Sequence, residues 1–445
     1  MAGLTCGPST DRSRSRRTGD AKVAVAGWIG STNLGDELIA RAVCGQLADL
    51  GAEPVAITID LERTDGLLGI AGVQHHRVRD TPGLIRMLRT VDGVAFGGGG
   101  LIQDETGPLN LPFHLGRLAL GRLLHLPWAG VGLGVGTVSR RTGRLLVRRM
   151  MVGARAITVR DPASQERLRR LGVGSDLAAD PVIAWDRVED PSITDEVLAV
   201  SVRRPSLPGQ RALSTAPPLD DAWLGHMSSA IEAVATDLGL GVRFVAFEAD
   251  QDGELHRQLA ERIAVDSELV EPTVDTVLGA VGRARAVFTM RYHGAVAALL
   301  HGRPAILVDY SPKMGDLSDD LAGAMPALPV GVPHAEGAVR AMHRAVSRAG
   351  ELPDHLERLV AREAANSVAL GRLLDRLVRE AGLARAVIVG GDTSSAAARG
   401  LGLTALTAET PVAHGAALLR GHRADGTSID IALKGGQMGP PDYFV

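Results

Sequence analysis

The chain has 445 residues, 45% of them hydrophobic and 22% charged, which is enough apolar material for two or three packed domains and excludes gross disorder. Only 3% are aromatic, so the core must be built mostly from Ala, Val and Leu. A net charge of −3 excludes a global attraction to nucleic acid or anionic membrane, and two cysteines, Cys6 and Cys44, exclude a disulfide framework or a cysteine zinc site.

Residues 1–21 read as a disordered basic tail, with Arg12, Arg14, Arg16 and Arg17 among serines and no apolar secretory core. No apolar stretch reaches the roughly 20 residues that span a bilayer. The expectation is a cytoplasmic protein, at most peripheral at the inner face of the membrane. Lys22–Gly27 reads as a first strand, followed by a loop and a helix from Asp36 to Leu50. Pro54–Ile59 is a second strand. A third, Gly93–Phe96, ends in the run Gly97–Gly100. Helices near His114–Leu124 and Gly143–Val152 flank the apolar segment Trp128–Val135. A strand at Ala156–Val159 leads into a short helix opened by Asp161. Strands and helices alternating at this length predict a parallel sheet with crossover helices, a Rossmann-like domain over residues 22–185.

Pro181, Asp186, Asp190 and Pro191 mark a linker, after which the alternation restarts. Strands are expected at Val197–Val202, Val242–Phe247, Ala286–Thr289 and Ala305–Val308. Helices are expected at Asp220–Leu238, Gly253–Ile263, Val274–Arg283 and Gly294–His301, and a long amphipathic one over Asp354–Glu380. This is a second Rossmann-like domain, 195–380. The stretch 384–445 holds a further strand, glycine turn and helix at Val387–Ser394. It is short to bury a core alone, so it is expected to pack on the rest or on a second chain, which leaves a homo-oligomer open.

In open α/β sheets, ligands bind beyond the carboxyl ends of the strands. The strongest candidates there are Arg291, Tyr292 and His293 after one strand and Tyr310 and Lys313 after the next. An arginine and a lysine suit an anion, and an imidazole suits proton transfer near neutral pH. Arg203 ends another strand and could face the same cleft. The loop with Gly30, Asn33, Gly35 and Asp36 can cradle a ligand or form a self-capped turn. It lacks the spacing of a dinucleotide fingerprint, which disfavours a nicotinamide cofactor. The run containing Gly98 and Gly99, with Gln103 and Asp104 behind it, is either a ligand loop or a close packing crossover. Arg160 contacts substrate or pairs with Asp161. Asp180-Pro181 reads as a turn.

In this order, these pieces resemble the polysaccharide pyruvyl transferase family: Gly30, Asn33, Gly35, Asp36 and Glu37; the glycine run with Gln103 and Asp104; Arg160, Asp161 and Ser164; Asp180-Pro181; Arg291-Tyr292-His293-Gly294; and Tyr310-Ser311-Pro312-Lys313. The resemblance covers residues 22–375. It implies a GT-B-like pair of domains, phosphoenolpyruvate as donor, and a pyruvate ketal on a glycan or lipid-linked glycan precursor as product. His293 and Arg291 would be the catalytic pair. Gly30, Asn33, Gly35, Asp36, Gly98, Gly99, Gln103, Asp104, Arg160, Arg203, Tyr310 and Lys313 would bind substrate. No further cofactor and no metal are expected, and nucleic acid is not an expected partner. Residues 384–445 resemble the nucleotide-binding part of four-carbon acid sugar kinases. That implies an ATP site at Gly390, Gly391, Asp392, Thr393, Ser394, Lys434, Gly435, Gly436 and Gly439. Two alternatives remain: a nucleotide-sugar glycosyltransferase on the same architecture, and an ATP-binding or kinase-related protein.

Overall fold

The computed structural model describes residues 21–184, 194–205, 220–329, 334–381, 385–389, 398–413 and 416–434. The basic tail, the proline-rich loop at 206–219, and the glycine-rich stretches Gly390–Ser394 and Gly435–Gly439 lie outside the described residues.

The first sheet comprises β1 (Ala21–Ile29), β2 (Ala52–Thr58), β3 (Gly72–Gln74), β4 (Gly93–Ile102), β5 (Trp128–Val135), β6 (Ile157–Val159) and β7 (Asp176–Leu177). All strands are parallel, in the order β3-β2-β1-β4-β5-β6-β7. Helices α1 (Leu34–Asp49), α2 (Leu61–Leu68), α3 (Thr81–Leu88), α4 (Asn110–Leu123), α5 (Arg141–Met151) and α6 (Pro162–Arg170) connect them. Every residue of β5 is buried, as expected of a parallel strand covered on both faces.

The second sheet repeats the pattern. Its strands are β8 (Asp195–Ser201), β9 (Gly241–Val245), β10 (Ser267–Val270), β11 (Ala284–Thr289), β12 (Ala305–Asp309) and β13 (Ala327–Pro329), parallel in the order β10-β9-β8-β11-β12-β13. Its helices are α7 (Asp221–Leu238), α8 (Ala249–Ala260), α9 (Val277–Gly282), α10 (Tyr292–Leu300), α11 (Pro312–Asp320) and α12 (Ala335–Arg348). In each sheet, chain progression reverses direction beside the first strand, at β1/β4 and at β8/β11. Loops leaving those neighbours diverge and open a crevice.

Contrary to expectation, the glycine run does not follow a strand but lies inside β4. Gly97, Gly98 and Gly99 have φ of 141°, 80° and 80°. A side chain on Gly98 would overlap Ile39 of α1, and one on Gly97 would strike the Val131 carbonyl of β5. The run therefore lets α1 lie against the strand, with only its end reaching the crevice.

Helix α13 (Leu352–Ala381) crosses back over the first sheet, against β4 to β7, while also touching α10. Arg362 donates to the carbonyls of Ala178 (3.0 and 2.8 Å) and Arg160 (3.1 Å). The Asn366 carbonyl accepts from the Gly132 amide (3.1 Å) and the Thr158 hydroxyl (2.6 Å), and its amide donates to the Ala179 carbonyl (3.0 Å). These bonds fix the strand end that carries Asp180. The two sheets are also joined directly. Arg167 makes a two-pronged pair with Asp316 (2.6 and 2.9 Å), Leu34 donates its amide to the Phe247 carbonyl (2.8 Å), and Ser311 donates its hydroxyl to Glu105 (3.3 Å).

A third, mixed sheet follows: β14 (Arg385–Val389), β15 (Leu403–Ala413), β16 (Ala416–Arg423) and β17 (Ser428–Lys434), ordered β14-β17-β16-β15. It rests on α13, where Arg423 pairs with Asp375 (2.9 Å) and Ile429 and Ile431 join the apolar cluster of Leu370, Leu373 and Leu377. Among the described residues, no helix is long and apolar enough to cross a membrane.

Candidate active site in the interdomain cleft

The loops after β1, β6, β9, β11 and β12 meet the glycine run of β4 in one cleft between the sheets, around a cavity of about 140 Å³. Asn33, Asp36, Gly99, Gly100 and Arg160 line it from the first sheet, and Phe247, Arg291, Tyr292, His293 and Lys313 from the second.

His293 sits in the first turn of α10 and is buried. Its Nε2 lies 3.5 Å from Asp180 Oδ1, reaching across from the second sheet to the end of the first. Burial alone would raise the Asp180 carboxyl. His293, Arg160 and the Val182 amide outweigh burial and hold it below the ordinary range. The other edge of the imidazole, with Nδ1, lies against Gly35, where any side chain would overlap it. Gly35 is thus glycine because a ring fills the space of its side chain. Asn33 caps α1 by accepting the Gly35 amide (3.1 Å) and donates to Asp36 (2.8 Å). Burial pushes the Asp36 carboxyl up to about 6, although His293 and Lys313 pull it the other way. A carboxyl poised there exchanges protons close to neutral pH.

The four cations in and beside the cleft differ in what they already hold. Arg160 is buried, stacked 3.8 Å over the Tyr292 ring and paired with Asp161 (3.3 Å) and Asp180 (3.5 Å). Arg291 is saturated: its guanidinium pairs with Asp252 and, at 3.3 Å, with Glu248. Lys313 has no carboxylate partner among the described residues and lies 5.1 Å over the Tyr310 ring. Arg203 covers the same ring at 5.2 Å, and its buried Nε makes no hydrogen bond. Burial would raise the Tyr310 phenol, yet Lys313, Arg203 and Arg291 together bring it down to about 8. Uncompensated positive charge therefore collects around Tyr310.

Other expected site residues are occupied elsewhere. Gly30 turns with φ 78°, and Thr58 and Asp60 fill the space beside it. Gly98 packs on Ile39. Gln103 bonds Thr106 (2.8 Å), and Asp104 accepts the amides of Ser139 and Arg140 (2.9 Å each), which shapes the loops around the cleft. The Lys434 backbone ends β17, and the remaining nucleotide-site candidates lie outside the described residues. The sequence pattern pointed to Tyr292 beside Arg291 and His293 and to Asp180 as a turn within the resemblance, but assigned no role to Glu248 and Asp252. For Glu248 and Asp252 a signal was present, since Glu248 directly follows the strand expected to end at Phe247 and Asp252 lies one helical turn further on. Asp180 carried a turn-like Asp-Pro and a place in the resemblance, with no local sign that it faces His293.

A family model described as polysaccharide pyruvyl transferase matches residues 33–312, which span both sides of the cleft. A second, described as a nucleotide-binding C-terminal domain, matches residues 335–444, taking in α12, α13 and the third sheet. No curated protein matches the sequence. Among solved structures, a glycosyltransferase from Rickettsia africae ESF-5 is 11% identical, with a TM-score of 0.52 over 82% of this chain and 99% of its own. The S. aureus MnaA–UDP co-structure is 13% identical, with 0.51 over 81% and 97%. A UDP-GlcNAc 2-epimerase from Neisseria meningitidis bound to UDP-GlcNAc is 12% identical, with 0.51 over 79% and 99%. At such identities the likeness is one of fold, the GT-B-like pairing of two Rossmann-like sheets.

Proposed function

The chain belongs to the polysaccharide pyruvyl transferase family, and from that premise we propose that it transfers the pyruvyl group of phosphoenolpyruvate to a glycan or glycan precursor, forming a cyclic ketal. The observation that carries this reading is the pairing, in one cleft, of uncompensated cations around Tyr310 with the His293–Asp180 pair and the raised Asp36 carboxyl. Phosphoenolpyruvate brings a carboxylate and a phosphate. Lys313 and Arg203 are the groups free to bind them, with Tyr310 between. Arg291 acts behind them, adding positive potential while its own bonds stay with Asp252 and Glu248.

The chemistry needs a proton delivered to the enol carbon C3 and a sugar hydroxyl added at C2, its proton taken by a base. A second hydroxyl then adds at C2 as the C2–O bond to phosphate breaks, its proton passing to the departing phosphate, so that hydrogen phosphate leaves and the ring closes. His293, steadied by Asp180, is the donor to C3. Asp36, poised about 6, is the base for the attacking hydroxyl. The acceptor approaches over the segment 106–113, which runs into the first turn of α4, where Trp28 and Phe113 meet edge to face at 5.7 Å.

The nucleotide-sugar alternative needs a carboxylate free to hold a ribose after a late strand. Asp316 and Asp320 stand in that region but are engaged by Arg167 and Arg362, whereas Asp309 and Asp319 have no cation partner among the described residues. What favours the pyruvyl reading over this alternative is the family match. For the C-terminal unit, we propose a nucleotide-phosphate site on the strength of its family match. The test incubates the protein with carbon-labelled phosphoenolpyruvate and candidate glycans. Label in an acid-labile ketal with one phosphate released supports the reading. Glycan-independent phosphate release, or transfer only from a nucleotide sugar, contradicts it.

A further inference from the structure

We propose that the outer face of α5, with the adjoining end of α4, docks the protein on an anionic lipid surface. Between Gly107 and Arg160 the chain has nine arginines and not one aspartate or glutamate, within a protein of net charge −3. Arg141, Arg148, Arg149 and Arg155 are exposed, and none has an ion-pair partner among the described residues. Several exposed arginines elsewhere are matched, Arg169 and Arg170 by Glu166, Arg285 by Glu196, and Arg379 by Asp375 and Asp425, while Arg77, Arg86, Arg89 and Arg344 have no ion-pair partner among the described residues but no run of this density around them. Glu166, on neighbouring α6, is thus already neutralised, and α4 contributes no acid.

The face is apolar as well as basic. Leu145 is 66% exposed and stands between Arg141 and Arg148 at helical spacing, and Val152 is 60% exposed one turn on. Leu123, 73% exposed, ends α4 beside them, where Arg122 donates to the Arg149 and Met150 carbonyls (2.7 and 2.9 Å). Cations ringing protruding aliphatic side chains fit an interface of anionic headgroups above acyl chains. A nucleic acid would use the charge but leave the leucines in water. The N-terminal end of α5 is held by Asp104, in the loop next to Glu105 and the Ser311 contact. The cleft therefore opens beside the docked face, within reach of a lipid-linked acceptor. The inference rests on charge and exposure and does not depend on the proposed reaction.

The test is cosedimentation of the full chain with vesicles of phosphatidylcholine alone or mixed with phosphatidylglycerol, across a salt series. The wild type is expected to pellet with the mixed vesicles and to be released by salt. The variant R141E/R148E/R149E should partition at least about a hundredfold less, at about fivefold per cation, while keeping its melting temperature. L145D, folded but weakened in the same assay, would report the apolar part. Failure to pellet, equal binding to both vesicle types, or retention of a polyanion such as heparin without vesicle binding would overturn the proposal.

Discussion

At the carboxyl edge of the first sheet, Asp36, Asp161 and Asp180 crowd round a single arginine, Arg160. At the same edge of the second sheet, Arg203, Arg291 and Lys313 gather with His293. The strand orders agree from the outer strand through six positions, so the backbone plan does not set the charge; the loops do. Each edge also keeps part of its charge for itself. Arg160 is held by two aspartates, and Arg291 by Asp252 and Glu248. On the proposed reading, what is left for the substrate is the remainder: Asp36 and the His293–Asp180 bridge, with Lys313 and Arg203 around Tyr310.

This division can be broken residue by residue. His293→Ala should lower turnover by about 10²–10⁴-fold with the melting temperature nearly unchanged, and turnover near wild type would remove the imidazole from the mechanism. Arg291→Ala should instead act on stability. It strands two carboxylates, one fully buried, and should cost about 3–5 kcal/mol in a denaturant titration. A stable protein that has lost only donor affinity would mean that Arg291 is a ligand after all. Lys313→Ala and Arg203→Ala should each weaken donor binding about 10–100-fold and leave folding intact, read as KM for phosphoenolpyruvate.

The smallest effect is a pH slope. Burial raises the Glu363 carboxyl from 4.5 to about 7, where it accepts from Gln46 (2.5 Å) and Asn366 (3.1 Å). The folded state thus holds a proton that the unfolded chain releases. That stabilisation is complete below the ordinary carboxyl value and is lost as pH rises through about 7. Asp36 and Glu37, raised to about 6 and about 7, act in the same direction. Glu363→Gln should therefore match wild type at pH 5 and exceed it at pH 8 by on the order of 1–2 kcal/mol. Equal pH slopes would contradict the assignment.

Much of this was legible in the sequence because strand ends carried their chemistry next to their apolar runs. Arg291, His293 and Lys313 follow Ala286–Thr289 and Ala305–Val308 directly. Two Rossmann-like halves followed from the doubled alternation and their GT-B-like pairing from the family resemblance, and the fold of the solved structures agrees with both. What escaped was whatever depends on contacts distant in the chain. Nothing local says that Arg291 is saturated by residues 39 and 43 positions earlier, or that Asp180 faces His293. Gly35 read as a ligand glycine, although a ring across the cleft explains it. Short elements without a full turn of pattern, β10 and β13, were invisible. So was α12, and so were the three antiparallel-paired strands β15 to β17.

The central claim is that the free cations of the second sheet hold the donor. It is tested most directly by calorimetric titration of wild type, Lys313→Ala and Arg203→Ala with phosphoenolpyruvate, and of wild type with a uridine-diphosphate sugar and ATP in parallel. The account predicts phosphoenolpyruvate binding that weakens about 10–100-fold in either variant. Binding of the nucleotide sugar in its place, or phosphoenolpyruvate binding indifferent to both substitutions, would contradict it.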